Sequence, residues 1–99
     1  MSQQQKTALV TGASGGIGRS IALRLAADGF AVAVHYAGNP ATADKVVREI
    51  EQAGGRAAAM QGDVAEPEDM RRVFEAAAQL TGAVDVVVHS AGIMSNLPI

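Results

Sequence analysis

The 99-residue sequence has no cysteine and no tryptophan, and its aromatic residues are one tyrosine and two phenylalanines. Without cysteine, disulfides and thiolate metal sites are excluded. With aromatics at 3%, the core has to be assembled from Ala, Val, Ile and Leu. Positive charge is scarce: eight Lys and Arg against ten Asp and Glu give a formal charge of −2. No basic stripe exists to neutralise phosphates along a groove, so a nucleic-acid partner is not expected. Long apolar runs are missing as well, and none approaches the length that crosses a bilayer. The opening MSQQQKTALV is polar and holds no apolar signal core. The expectation is a cytoplasmic protein without a membrane partner.

What is present is globular: 48% hydrophobic against 18% charged residues. KTALVT, residues 6–11, is a short apolar run that enters a glycine-rich turn, a buried-strand signal. From Gly16 the pattern turns helical, with Ile17, Ile21 and Leu25 on one face and Gly29 in the place of a C-cap glycine. FAVAVHY, Phe30 to Tyr36, reads as a second strand. Asn39 and Pro40 suit an N-cap and first helical residue, opening a helix that runs to about Ala53. RAAAMQGDV is a weaker strand, because Ala is a poor strand former. A third helix starts at Pro67, with Met70, Val73, Phe74 and Ala77 inward, and ends at Gly82. VDVVVH, Val84 to His89, is the strongest strand signal.

Strands that are nearly continuous in apolar residues, alternating with helices, indicate a doubly wound parallel α/β sheet with helices on both faces. With right-handed crossovers the strand order is 3-2-1-4, and ligands bind at the carboxyl ends where the winding reverses. Residues 1–99 then form one unit with no internal boundary.

The turn LVTGASGGIGRS, residues 9–20, holds four glycines between strand and helix. A helix N-terminus carries free N–H groups and partial positive charge, and a missing Cβ lets phosphate approach the backbone. Gly12, Gly15, Gly16, Ile17 and Gly18 are therefore candidate pyrophosphate contacts, and Ser14 offers a hydroxyl in the same turn. The competing reading is a tight turn that needs glycine only for its backbone angles. A P-loop fails on spacing, because Ala13 stands where its first glycine belongs and its lysine is missing.

The spacing Thr11, Gly12, Gly16, Gly18 resembles the short-chain dehydrogenase/reductase family. GDV at Gly62 to Val64 is similar to the family's adenine-pocket motif, and HSAGI at His89 to Ile93 falls where the family has Asn-Asn-Ala-Gly. The likeness runs from Lys6 to Ile93 and is greatest to the branch of 3-oxoacyl-carrier-protein reductases. It implies a Rossmann-type fold. It also implies that Asp63 accepts from the adenine amino group, that Val64 packs the ring, and that Ser90, Ala91 and Gly92 line the pocket near the nicotinamide ribose. Taken alone, Asp63 reads first as a turn or N-cap carboxylate, and His89 as a packing or hydrogen-bonding residue. In the family the Asn side chains help hold the central strands together, and Ser90 offers fewer hydrogen bonds for that role.

NAD selection needs a carboxylate at the end of the second strand, about 20 residues beyond the glycines. That place reads HYAGN, His35 to Asn39, with no acid. Tyr36 and Asn39 are the candidate contacts, and Asn39 with nearby N–H groups can receive a 2′-phosphate. NADP is therefore expected before NAD. Against this, residue 15 is Gly where NADP-using relatives often have Arg; Arg19 either compensates or is a solvated helix residue.

The resemblance further implies a catalytic Ser and a Tyr-x-x-x-Lys pair, the Lys lowering the Tyr pKa. The one tyrosine, Tyr36, has Pro40 four residues on, so no catalytic residue is assigned here. The first reading is the N-terminal, cofactor-binding part of an NADP-dependent oxidoreductase. It would act on a small carbonyl or alcohol substrate and be a homo-oligomer at full length. The 99 residues alone are expected to be inactive and, with an apolar edge at VDVVVH, unstable or self-associating. A noncatalytic dinucleotide-binding or redox-sensing module is the second reading. A structural protein that has lost the ligand is the third.

Overall fold

The computed structural model describes residues 5–13 and 15–90. Along the chain it places β1 (Thr7–Thr11), α1 (Gly16–Ala27), β2 (Ala31–Tyr36), α2 (Pro40–Gln52), β3 (Arg56–Gln61), α3 (Pro67–Ala78) and β4 (Val86–His89). All strand pairs are parallel and the order is β3-β2-β1-β4, as the alternation requires. Val10 pairs with Val34 on one side and with Val88 on the other. Thr11, Tyr36, Gln61 and His89 therefore end their strands along one edge.

Side chains alternate across the sheet. Val10, Val32 and Val34 meet Ala22 of α1 and Ala43, Val46 and Ile50 of α2. Leu9 and Ala33 point the other way, onto Val73 and Ala77 of α3. Full burial of Leu9 and Ile50 stabilises the fold by about 2 kcal/mol each. Small residues let helices sit close to the sheet, which is how a core almost without aromatics fills its space.

Both helices that feed β2 and β3 stop in the same way. Gly29 has φ +101° and Gly54 φ +91°. Phe30 N–H reaches back to the Leu25 carbonyl at 3.1 Å, and Gly55 N–H to that of Ile50 at 2.9 Å. These are Schellman closures, which need a left-handed residue at the first non-helical position. Asn39 caps α2 as expected, its side chain accepting from Ala41 N–H at 2.9 Å, with Pro40 at the first helical position.

The expected Ala-rich strand is present as β3, six residues long, each pairing with a residue of β2. Three local expectations need correction. β4, the strongest signal, is the shortest strand at four residues. Val84 packs into the α3-side core instead of pairing, and the Asp85 carboxylate accepts from Thr7 N–H at 3.0 Å. The helix α3 ends at Ala78, and Gly82 closes a turn beyond it by donating to the Ala78 carbonyl at 2.6 Å. Phe74, expected inward, is exposed at 40%, and Ile17, expected to share a face with Ile21 and Leu25, is exposed at 43%. Ile17 sits in the first turn of α1, at the carboxyl edge of the sheet. Phe74 is one position round the helix from the buried Val73.

Candidate dinucleotide site

The chain leaves β1 at Thr11 and turns at Gly12, whose φ of +70° is left-handed and favours glycine. Two successive amides of this turn are held by one residue of β2. Gly12 N–H donates to His35 Nδ1 at 3.1 Å and Ala13 N–H to the His35 carbonyl at 3.0 Å. Gly15 N–H donates back to the Gly12 carbonyl at 3.3 Å.

These bonds decide which amides remain for a ligand. The N–H groups of Gly16, Ile17 and Gly18 have no protein partner among the described residues, and Gly15 at the N-cap contributes no side chain. Unpaired first-turn amides and the positive end of α1 make an anion-receptive point. No acidic residue lies in that turn to oppose an anion.

The glycines divide their roles. A Cβ on Gly18 would lie 2.3 Å from the Gly12 carbonyl oxygen, 2.7 Å from Ala13 Cα and 2.7 Å from Ser90 Oγ. Gly18 is thus needed for the helix to seat on the turn. A Cβ on Gly16 would meet nothing within 4 Å among the described residues, so their packing gives no reason for glycine there. The tight-turn reading accounts for Gly12 and Gly18 and leaves Gly16 unexplained.

Ser90 is buried beside Gly18 and joins β4 to β1. Its N–H donates to the Thr11 carbonyl at 3.2 Å, and its hydroxyl donates to the same oxygen. The neighbouring His89 Nδ1 lies 2.7 Å from Thr11 Oγ1. The serine and the histidine together tie the end of β4 to the end of β1. The crevice between the ends of β1 and β4 is the switch point of the sheet.

Along the same edge, Gly62 follows β3, its N–H donating to the Tyr36 carbonyl at 3.1 Å. Asp63 Oδ1 accepts from Ala65 N–H at 2.9 Å, so the turn role is present. Val64 is 48% exposed and available to a ring. Asp63 N–H donates to Asp69 Oδ2 at 3.0 Å, and Arg72 pairs with the other oxygen. The hydrogen bond from Asp63, then that from Arg72, holds the Asp69 carboxyl below its ordinary value.

Beyond β2 the half-buried Tyr36 packs against the α1–α2 core, and Asn39 has its side-chain oxygen engaged in capping. No Asp or Glu stands between Tyr36 and Asn39. Arg19 forms a two-point pair with Glu49 of α2, Nε to Oε1 at 2.9 Å and Nη2 to Oε2 at 2.7 Å. That contact lowers the Glu49 carboxyl and raises the Arg19 guanidinium. Arg19 is therefore an exposed helix residue paired across to α2. Ser14, Ala91 and Gly92 lie outside the described residues.

The sequence reading missed His35. Its signal was a single ring-nitrogen side chain in the otherwise apolar run AVAV, one residue before the strand ends.

Comparison with known proteins agrees with this architecture. A 3-oxoacyl-[acyl-carrier-protein] reductase FabG of Staphylococcus epidermidis is 49% identical over 91 residues, covering 92% of this chain and 37% of that protein. An L-rhamnose 1-dehydrogenase (NAD(P)(+)) of a Sphingomonas species is 48% identical over 88 residues, 89% of this chain and 35% of that protein. A solved dehydrogenase/reductase from Sinorhizobium meliloti superposes with a TM-score of 0.87 at 45% identity, covering 99% of this chain and 39% of that one. The chain thus spans little more than a third of these relatives. The short chain dehydrogenase family model matches residues 6–99. The chain belongs to the short-chain dehydrogenase/reductase family, an oxidoreductase family, and carries its Rossmann-type sheet.

Proposed function

We propose that these residues hold the dinucleotide of an NADP-dependent oxidoreductase that interconverts a small carbonyl and an alcohol. The observation that carries the reading is the N–H group of Gly16, which has no protein partner among the described residues and lies beside a Cα that those residues leave uncrowded. The pyrophosphate is received by the amides of Gly16, Ile17 and Gly18, with Ser14 adding its hydroxyl. Gly12 and Gly15 shape the turn. Asp63 and Val64 receive the adenine, Asp63 through the carboxylate oxygen that Ala65 does not use. Ser90, Ala91 and Gly92 line the nicotinamide-ribose end. When bound, the cofactor supplies hydride from its nicotinamide ring.

NADP is assigned over NAD because no carboxylate follows β2 to repel a 2′-phosphate. Tyr36 and Asn39 flank that position. Arg19 is not enlisted, since its Nε and Nη2 already hold the Glu49 carboxylate.

The relatives named above include a 3-oxoacyl-[acyl-carrier-protein] reductase and an L-rhamnose 1-dehydrogenase, which supports a carbonyl–alcohol reaction for this chain. The full-length protein is assigned the same reaction class, a cytoplasmic location and a homo-oligomeric state. The 99 residues lack a Tyr-x-x-x-Lys pair and are assigned no turnover of their own.

The test is fluorescence titration of the full-length protein with NADPH and NADH, followed by assay against carbonyl substrates. Tighter binding of NADPH with turnover supports the reading. Equal or tighter NADH binding removes the NADP assignment. Binding without turnover identifies a noncatalytic module instead.

A further inference from the structure

His35 is 2% exposed and sits one residue before the end of β2, where the side-chain alternation puts it on the face of Leu9 and Ala33. Its ring has two partners on two different turns. Nδ1 faces the N–H of Gly12 at 3.1 Å, and Nε2 lies 2.7 Å from the carbonyl of Gly62. A backbone N–H can only donate, so Nδ1 presents its lone pair; a carbonyl can only accept, so Nε2 carries the proton. Both partners together select the neutral, Nε2-protonated ring. The His35 carbonyl adds the third tie, to Ala13 N–H.

The two turns are the ones that frame the proposed cofactor cleft. Gly12 sets the direction from which α1 starts, and an added Cβ at Gly18 would touch its carbonyl oxygen, so the anion-receptive amides ride on it. Gly62 directly precedes Asp63 and Val64. A rigid planar ring with an acceptor at one end and a donor at the other therefore spans the two rims. Asn could reach only the nearer partner, and Gln reaches the farther one through a flexible stem.

We propose that His35 is a positioning residue that fixes the separation between the pyrophosphate turn and the adenine rim. The inference rests on the cofactor reading above. It assigns His35 no contact with the ligand and no part in hydride or proton transfer.

The experiment uses the full-length protein. NADPH is titrated into wild type and into His35→Phe, which fills the space and removes both ring contacts. His35→Asn restores an acceptor toward Gly12. Urea unfolding is run on each. The expected result is a folded His35→Phe protein that binds NADPH about tenfold more weakly, the upper range for one net hydrogen bond. His35→Asn is expected to regain part of that loss. A folded His35→Phe protein with wild-type NADPH affinity overturns the proposal. Should the variants not fold, ¹⁵N spectra of the wild-type histidine rings decide. An Nε2-protonated His35 whose resonances shift on saturation with NADPH supports it, and an Nδ1-protonated ring or an unresponsive one overturns it. Wild type that binds neither NADPH nor NADH fails the cofactor reading itself, and this inference with it. Wild type that binds while His35→Phe binds equally fails the inference alone.

Discussion

The hydroxyl of Ser90 donates to the carbonyl of Thr11, the same oxygen that receives the Ser90 N–H at 3.2 Å. One residue beyond β4 is thus tied twice to the last residue of β1, and its hydroxyl oxygen also limits how large residue 18 can be. The switch point is closed by small groups in direct contact. The predictions below follow from which of those contacts belong to the fold and which are left for a ligand.

Gly18→Ala and Gly16→Ala separate the two purposes of glycine. Alanine at 18 must displace backbone atoms of Gly12 and Ala13. It is expected to lose about 1–3 kcal/mol of unfolding free energy, the range for overpacking. Alanine at 16 meets nothing within 4 Å among the described residues and is expected to change stability by no more than about 0.5 kcal/mol. The same methyl narrows the approach to the first-turn amides, so NADPH affinity should fall. Urea denaturation and fluorescence titration measured side by side check both. An unchanged NADPH affinity in a stable Gly16→Ala protein contradicts the assignment of those amides.

Asn39 offers a second separation. Its side-chain oxygen caps α2, and replacement by alanine is expected to cost about 1 kcal/mol. Asn39→Asp keeps the capping oxygen and adds negative charge at a helix N-terminus, so stability should be retained. A 2′-phosphate nearby would then be repelled. The expected outcome is a larger loss of affinity for NADPH than for NADH. An equal loss for both would place the 2′-position elsewhere.

The acid side of the stability profile should report Asp69. Its carboxyl is held below its ordinary value of 3.8, first by the hydrogen bond from Asp63 N–H and next by Arg72. A carboxylate whose folded value is depressed contributes stability that is fully present above the unfolded value. That contribution is lost as pH falls through 3.8 toward the lower folded value. Urea unfolding from pH 5 downward, on the order of one unit above the ordinary value, should steepen in wild type and flatten in Asp69→Asn. Identical slopes would mean that Asp69 does not anchor the turn before α3.

The outer edge of β4 has no neighbouring strand among the described residues, and Val87 is 50% exposed. Unpaired apolar edges recruit other chains, and a lysine on the edge blunts them. A polypeptide of these 99 residues is expected to self-associate in sedimentation velocity, and Val87→Lys to shift it toward monomer. A wild-type polypeptide that stays monomeric and melts cooperatively runs against this.

How much of this was legible in the sequence depended on whether the signal was local. Element order, the Asn39 cap, the Schellman glycines and the sheet order all follow from spacing and from short-range backbone chemistry. Asp63 showed its turn chemistry in the same way. β3 is only weakly legible through its alanines, and β2 supplies its ladder. What escaped was set by partners far along the chain. Phe74 is exposed because the face of α3 that meets the sheet is narrower than its apolar stripe. Arg19 is defined by Glu49, thirty residues away, and His35 by Gly12 and Gly62. Periodicity carries no information about such pairings.

The direct seating of α1 on the turn, with only a hydrogen at Gly18, bears on the thermodynamics of association. The amide donors of that first turn are aimed before any ligand arrives, so little receptor disorder has to be frozen out on encounter. Under the proposed cofactor reading, affinity at this end should then arise mainly from charge-assisted hydrogen bonds that offset the cost of desolvating the anion.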